Sequence, residues 1–292
     1  MEIFKQAQLM EIGNKKLIDN PLFWDKRINK RKSESYQLLM HYDSERFSYC
    51  IFDINNKEFL SISSHKSNNI QNLKEILENE VFNWKYESIK MNIESKKSTV
   101  LPNSFFEEKI IEKYLYFNEE FNKNEISFFW DELKYMDAIV VYSLPQKLTS
   151  FLEKKFKENQ IKSHSSIFID SILRQSTQSN KNGVFIDLSK NRFDIGVVKK
   201  SKLFLYNHFA FTSKNDFLYY ILNCYNTLNL DPKKDTLYIS GEFEESKLIP
   251  NLKEYLYNII LQKRNKEFIY SNVFNKIPDF YFQKLFNLTT CV

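Results

Sequence analysis

The sequence predicts an α/β protein of two similar lobes, each a mixed sheet flanked by helices. Three observations carry that expectation. The order of strands and helices repeats after half of the 292 residues. Apolar residues alternate with period two in some segments and recur at helical spacing in others. The length is where one hydrophobic core gives way to two. The tightest local match pairs Arg46-Phe47 with Arg192-Phe193, 146 residues later.

Residues 1–34 read as an extension before the first strand. Their basic run, Lys26 to Lys32, reads as a solvated surface. Nucleic-acid binding through Lys26, Arg27, Lys30, Arg31 and Lys32 is the alternative, and the net charge of +5 gives it little support. The first lobe is expected over 35–177. Leu39 to Phe52 forms two apolar strands around a polar turn, Asn55-Asn56-Lys57 turns again, and Phe59-Leu60-Ser61-Ile62 is a third strand. Ile70, Leu73, Ile76, Leu77 and Val81 have helical spacing. A strand over Ser88–Ile93 and a helix from about Phe105 to Phe117 follow. Glu125–Trp130 and Ala138–Tyr142 come next, then a helix over Gln146–Lys157, Ile161–His164, and a last helix over Ser166–Gln175.

Ser176 to Gly183 is polar and lacks apolar periodicity, which marks it as the linker. The second lobe, 178–292, opens with Val184 to Val198, the same strand, turn and strand. Lys199–Lys202 turns the chain into Leu203–Tyr206. Phe217, Ile221, Leu222, Tyr225 and Leu228 have helical spacing, Thr236–Ser240 is a strand, and Glu244–Leu261 reads as a helix. The C-terminal helix is free to pack back on the first lobe. Phe and Tyr, such as Phe204, Phe209 and Phe211, are expected to fill the core.

Composition removes several functions. The four glycines, Gly13, Gly183, Gly196 and Gly241, are at least thirteen residues apart, which excludes every phosphate loop built from clustered glycines. Cys50, Cys224 and Cys291 give neither a disulfide framework nor a zinc site. No two of His41, His65, His164 and His208 have metal-ligand spacing, and no metal is expected. No GxSxG elbow supports a serine hydrolase. No apolar stretch approaches the roughly 20 residues that span a bilayer, and no secretory signal is present, so a cytoplasmic protein is expected.

Two lobes that each open with a hairpin-led meander resemble the actin-like ATPase superfamily, a duplicated ribonuclease-H-like fold with mixed five-stranded sheets. Thr99-Val100-Leu101-Pro102-Asn103-Ser104-Phe105-Phe106, followed by Tyr114-Leu115-Tyr116-Phe117-Asn118, resembles the bacterial domain of unknown function numbered 3822. The superfamily resemblance implies a nucleotide between the lobes, with each first hairpin turn offering backbone N–H groups to phosphates. An Asp at the strand end would hold the metal or its water. Glycine belongs in those turns because a Cβ would keep the backbone from the phosphates.

Here Asp187 keeps the acidic position and Ser189 replaces the glycine. The same register puts His41 at the first lobe's Asp position and Asp43 at its glycine; an alternative register makes Asp43 the acid. At the adenosine site Gly241 is followed by Glu242 and Glu244, which would repel a polyphosphate by about 1 kcal/mol or more per close pair. The expectation is therefore a non-catalytic scaffold or protein-interaction module, with a protein partner, no cofactor and no catalytic residue. The alternative is an ATP- and magnesium-dependent switch around Asp43, Asp187, Ser189 and Gly241. Arg46 and Arg192 are candidate anion contacts facing each other across the cleft; the plainer reading is two solvated guanidinium groups at sheet edges.

Overall fold

The structure, a computed structural model, describes residues 22–116, 121–122, 124–156, 159–180 and 182–291. Residues 1–21 with Gly13, Phe117 and Asn118 of the second motif, and Lys157 and Lys181 lie outside the described residues.

The first lobe contains β1 (Leu22–Trp24), β2 (Tyr36–Tyr42), β3 (Arg46–Asp53), β4 (Glu58–Phe59), β5 (Ser61–Lys66), α1 (Ile70–Ile76) and β6 (Ser88–Ile93). It continues through β7 (Lys97–Pro102), α2 (Ile111–Leu115), β8 (Ile126–Glu132), β9 (Ala138–Pro145), α3 (Gln146–Lys155), β10 (Asn159–Ser163) and α4 (His164–Ser179). The second lobe contains β11 (Gly183–Leu188), β12 (Arg192–Lys199), β13 (Lys202–Ala210), α5 (Lys214–Thr227), β14 (Leu237–Gly241), α6 (Glu245–Lys253) and β15 (Ile259–Leu261). A C-terminal arm follows: β16 (Ile269–Tyr270), α7 (Gln283–Phe286) and α8 (Leu288–Cys291).

The duplication is visible in the sheets. The second sheet runs β13-β12-β11-β14-β15; the first runs β5-β3-β2-β6-β10, with β1 added outside β5. In both, the opening strand pairs antiparallel with the next strand and parallel with the fourth of the five. Alternation then sorts each strand to two faces. On β2, Leu38 and Met40 join a core with α1, α3 and α4, whereas Leu39 joins Phe274, Phe282 and Leu285 of the arm. Each core thus draws on both halves. Ile172 of α4 lies so close to β12 that a Cβ on Gly196 would stand 2.3 Å from it.

Several elements depart from the sequence reading, each for a local reason. Leu22–Trp24, within the expected extension, pairs with β5. Of the basic run, Arg27 holds Asp25 and Glu58 at 2.7 and 2.6 Å, and Lys30 holds Glu80 at 2.5 Å. Lys97–Pro102 is a strand of a separate three-stranded sheet, β7-β9-β8. The helix expected from Phe105 shrinks to α2, because the Tyr114 hydroxyl donates to Phe105 O and accepts from Glu107 N, pinning a loop instead.

The polar linker is helical as far as Ser179. Ser163 caps α4 at one end, and Asn180, at φ 50°, ends it at the other. The helix from Glu244 stops at Lys253, which frees Ile259–Leu261 to pair with β14. Phe204 is 58% exposed, on the outer face of edge strand β13, rather than in the core. Cys50 and Cys224 are free buried thiols. Among the described residues no helix is long and apolar enough to cross a membrane.

Candidate functional site

The two first hairpin turns meet where the lobes join. His41 stands opposite Ser48 and beside Asn92, just as Asp187 stands opposite Asp194 and beside Ser240. Of the two registers left open by the sequence, this is the one that places His41 at the acidic position. Asp43 N donates to Arg46 O at 3.0 Å, and Ser189 N to Arg192 O at 2.8 Å, so the turns share one backbone plan.

Their side chains differ. Asp43 Oδ1 accepts the N–H groups of Glu45 and Arg46 at 2.7 and 2.8 Å and closes its own turn. Asp187 caps nothing: it accepts from the Ser240 hydroxyl at 3.0 Å and lies 3.2 Å from His164 Nε2. His164, the first residue of α4, also lies 3.4 Å from Asp194. Asp131 fixes that helix start by accepting from Ser163 N at 2.8 Å and the Ser166 hydroxyl at 2.6 Å. Tyr206 completes the cluster, its hydroxyl 2.6 Å from Asp194.

Lys284 enters between the turns from α7. It is buried, and its Nζ donates to Ser189 Oγ at 2.9 Å. Burial opposes its charge, but the carboxylates of Asp187, Glu242, Glu94 and Asp43 outweigh that and hold the ammonium above its ordinary pKa. Asp43 and Glu94 come from the first lobe, Asp187 and Glu242 from the second. Burial would raise Asp187 in turn, and Lys284 and His164 hold it down. Burial and the Lys284 charge depress His41, which stays neutral at pH 7 with its Nε2 3.4 Å from Asp43 of its own turn. His164 moves the other way. Despite burial, Asp194 and Asp187 raise it to about 9, so it is an imidazolium at neutral pH.

The candidate anion contacts are reciprocal. Arg46 Nε lies 3.9 Å from Glu242 of the second lobe, and Arg192 Nε lies 3.8 Å from Glu94 of the first. Each is anchored in addition: Arg46 donates to the Ser64 hydroxyl at 3.0 Å, Arg192 to Ser95 O at 2.7 Å. Both side chains are only 14% exposed, so they are not a solvated fringe, and Arg46 also lines the cleft between the turns. The turns touch directly as well. Lys190 lies 2.9 Å from Glu45, and Asn191 donates to Glu45 at 3.3 Å.

Gly241 has a packing explanation. At φ +115° an added Cβ would stand 2.0 Å from Leu188 O, so glycine lets β14 end against β11. Its N–H donates to Phe280 O at 2.9 Å. Between the turns lies a cleft of about 1040 Å³, lined by Asp43, Arg46, Glu94, Ser189, Glu242 and Lys284 and, farther out, by Lys66, Lys190 and Lys214 beside Glu45 and Glu244, with Phe211 and Leu248 as its apolar wall. Among the described residues no group of three or more His, Cys, Asp or Glu is arranged to hold a metal ion.

The chain matches the sequence model of a family described as a protein of unknown function, DUF3822, over residues 25–259. It belongs to that family. The DUF3822 chain is also similar to a solved Bacteroides thetaiotaomicron protein with actin-like ATPase fold and unknown function. Identity is 23%, the match covers 80% of this chain and 93% of that one, and the TM-score is 0.72. It is similar too to a chain of the PilM-PilN type IV pilus biogenesis complex, at 11% identity, 80% and 90% coverage, and TM-score 0.52. The fold is therefore actin-like. A comparison with curated proteins found no match.

Sequence reasoning found Asp43, Asp187, Ser189 and Gly241, all of which meet at this junction, and Arg46 and Arg192. It missed Lys284, Glu94, His164 and Asp194. Glu94 had a usable signal, since it follows the first-lobe strand Ser88–Ile93 as Glu242 follows its counterpart. Lys284 had none: it lies in a lysine-rich chain, and only the return of the arm buries it.

Proposed function

We propose that this DUF3822 protein is a non-catalytic two-lobed scaffold that offers its surface to a protein partner. One observation carries the reading. Where the two first turns meet, the cleft is lined and crossed by the protein's own balanced charges, Lys284 among four carboxylates and the crossed pairs of Arg46 with Glu242 and Arg192 with Glu94. The residues do not fit a magnesium triphosphate. Glycine is missing from both turns, the N–H of Gly241 is taken by Phe280, and carboxylates face the place where phosphates would lie. Pairing with a partner is supported by the similar pilus-assembly structure, which is a complex of two proteins.

A thermal-shift titration tests the scaffold reading. A ligand at 100 times its dissociation constant adds about 2.7 kcal/mol of stability, or roughly 5–10 °C at this size. No shift with Mg-ATP, ADP or AMP is expected. A shift of that size, lost in Asp187→Ala, establishes the second reading, a nucleotide-dependent switch. The observation in favour of that rival is the remaining cleft, whose volume and lysines would admit an anion.

A further inference from the structure

Lys284 is the one lysine that this cleft shares with a chamber behind it, of about 10 Å³, lined also by His164, Asp187, Ser240 and Gln283. It belongs to neither sheet. The arm that brings it leaves the second lobe after β15, adds β16 to the first sheet beside β4, and seats Phe286 4.7 Å from Phe59. Phe282, just before α7, adopts φ 59°, a left-handed conformation that a bulky residue holds only where packing over-determines it. Asn92 of the first lobe donates to Lys284 O at 3.1 Å, while Lys284 Nζ donates to Ser189 of the second. One residue is therefore bonded to both lobes, at the point where two carboxylates from each converge.

We propose that residues 278–291 act as a built-in ligand that holds the two lobes in one fixed relation, with Lys284 as the cation pinning both hairpin turns. Without its ammonium, Asp43, Glu94, Asp187 and Glu242 repel one another across the junction, and Arg46, Arg192 and His164 compensate them in part. A fixed lobe geometry is what a scaffold requires, so the pin deepens that reading. Its test uses no nucleotide and no partner, and the two therefore fail separately.

Amide hydrogen exchange of the full chain at pH 7 reads the pin directly. In Lys284→Met, which keeps the apolar stem, peptides spanning residues 42–47 and 188–193 exchange at least tenfold faster, while the far end of the β12–β13 hairpin is unchanged. Adding Asp43→Asn, whose amide oxygen still closes its turn, slows both turns again by threefold or more. A folded Lys284→Met with both turns at the wild-type rate overturns the proposal, as does a double variant no slower than the single one. Should Lys284→Met fail to fold, the wild type decides. Residues 282–288 and both turns must open at one common rate, and turns that exchange over tenfold faster than the arm overturn the pin.

Discussion

The hairpin turns at 43–46 and 189–192 have the same backbone and opposite chemistry. Asp43 satisfies its own turn, whereas Ser189 hands its hydroxyl to Lys284. At the preceding strand end a neutral His41, 3.4 Å from Asp43, occupies the position where Asp187 is ionised and paired with His164. The difference teaches which level of the fold is fixed by duplication. Pairing register and strand order are shared by both sheets, because a one-residue slip would turn every side chain to the wrong face. Side chains at the strand ends face a junction instead of a core, and each lobe meets a different neighbour there.

Substitutions at equivalent positions break or sharpen that comparison. Gly241→Ala should cost about 3 kcal/mol or more, since it sets a strained φ and a backbone clash together. Its partner position, Ile93, carries a full side chain, so Ile93→Val should cost only about 1 kcal/mol. A Gly241→Ala protein with an unchanged denaturant midpoint would refute the close-approach account.

Next in size is the pair at the strand ends. His164→Leu leaves two buried carboxylates short of a partner and should cost about 3 kcal/mol. His41→Leu removes a neutral ring whose polar neighbour, Asp43, keeps two backbone N–H bonds, and should stay within about 1 kcal/mol of wild type. Equal effects in urea unfolding would show that the lobes are not electrically distinct.

The same contrast predicts a pH dependence. His164 is raised in the folded protein, so its contribution is fully present below its unfolded pKa, about 6.5. That contribution is lost as pH rises through about 9. By linkage it amounts to about 3 kcal/mol, measurable as a fall in urea midpoint between pH 6.5 and 9, below the titration of the buried thiols, that His164→Leu removes. His41, His65 and His208, all depressed chiefly by burial, titrate below that window and do not mask it. The smallest effect tests symmetry instead of difference. Arg46→Ala and Arg192→Ala should each cost about 2 kcal/mol, because each breaks one crossed ion pair and one anchoring hydrogen bond. A twofold mismatch between them would mean that the reciprocal pairs are not equivalent.

Much of the fold was legible because meanders and amphipathic helices leave local patterns: Leu39 to Tyr42 and Val184 to Leu188 are apolar runs before polar turns, and Phe217 to Leu228 has helical spacing. Ile259–Leu261 did not, since three residues are too few for periodicity and only β14 makes them a strand. Thr177 and its polar neighbours looked like a linker because a helix that ends at an Asn in the left-handed conformation needs no apolar residue there. At the junction, the turn residues were legible through the repeat. The groups that balance their charge were not, for they arrive from α4 and the arm, more than one hundred and more than two hundred residues away from the first turn.

The arm has a consequence for synthesis. β4 waits for β16, and the face carrying Leu39, Cys50 and Phe52 waits for Phe274, Phe282 and Leu285. A nascent chain leaving the ribosome thus carries an unfinished first sheet, apolar on one side, until residues 269–291 emerge. Chaperone dependence should then track the arm, and a truncation before residue 269 should expose the older half of the polypeptide to aggregation rather than release an autonomous lobe.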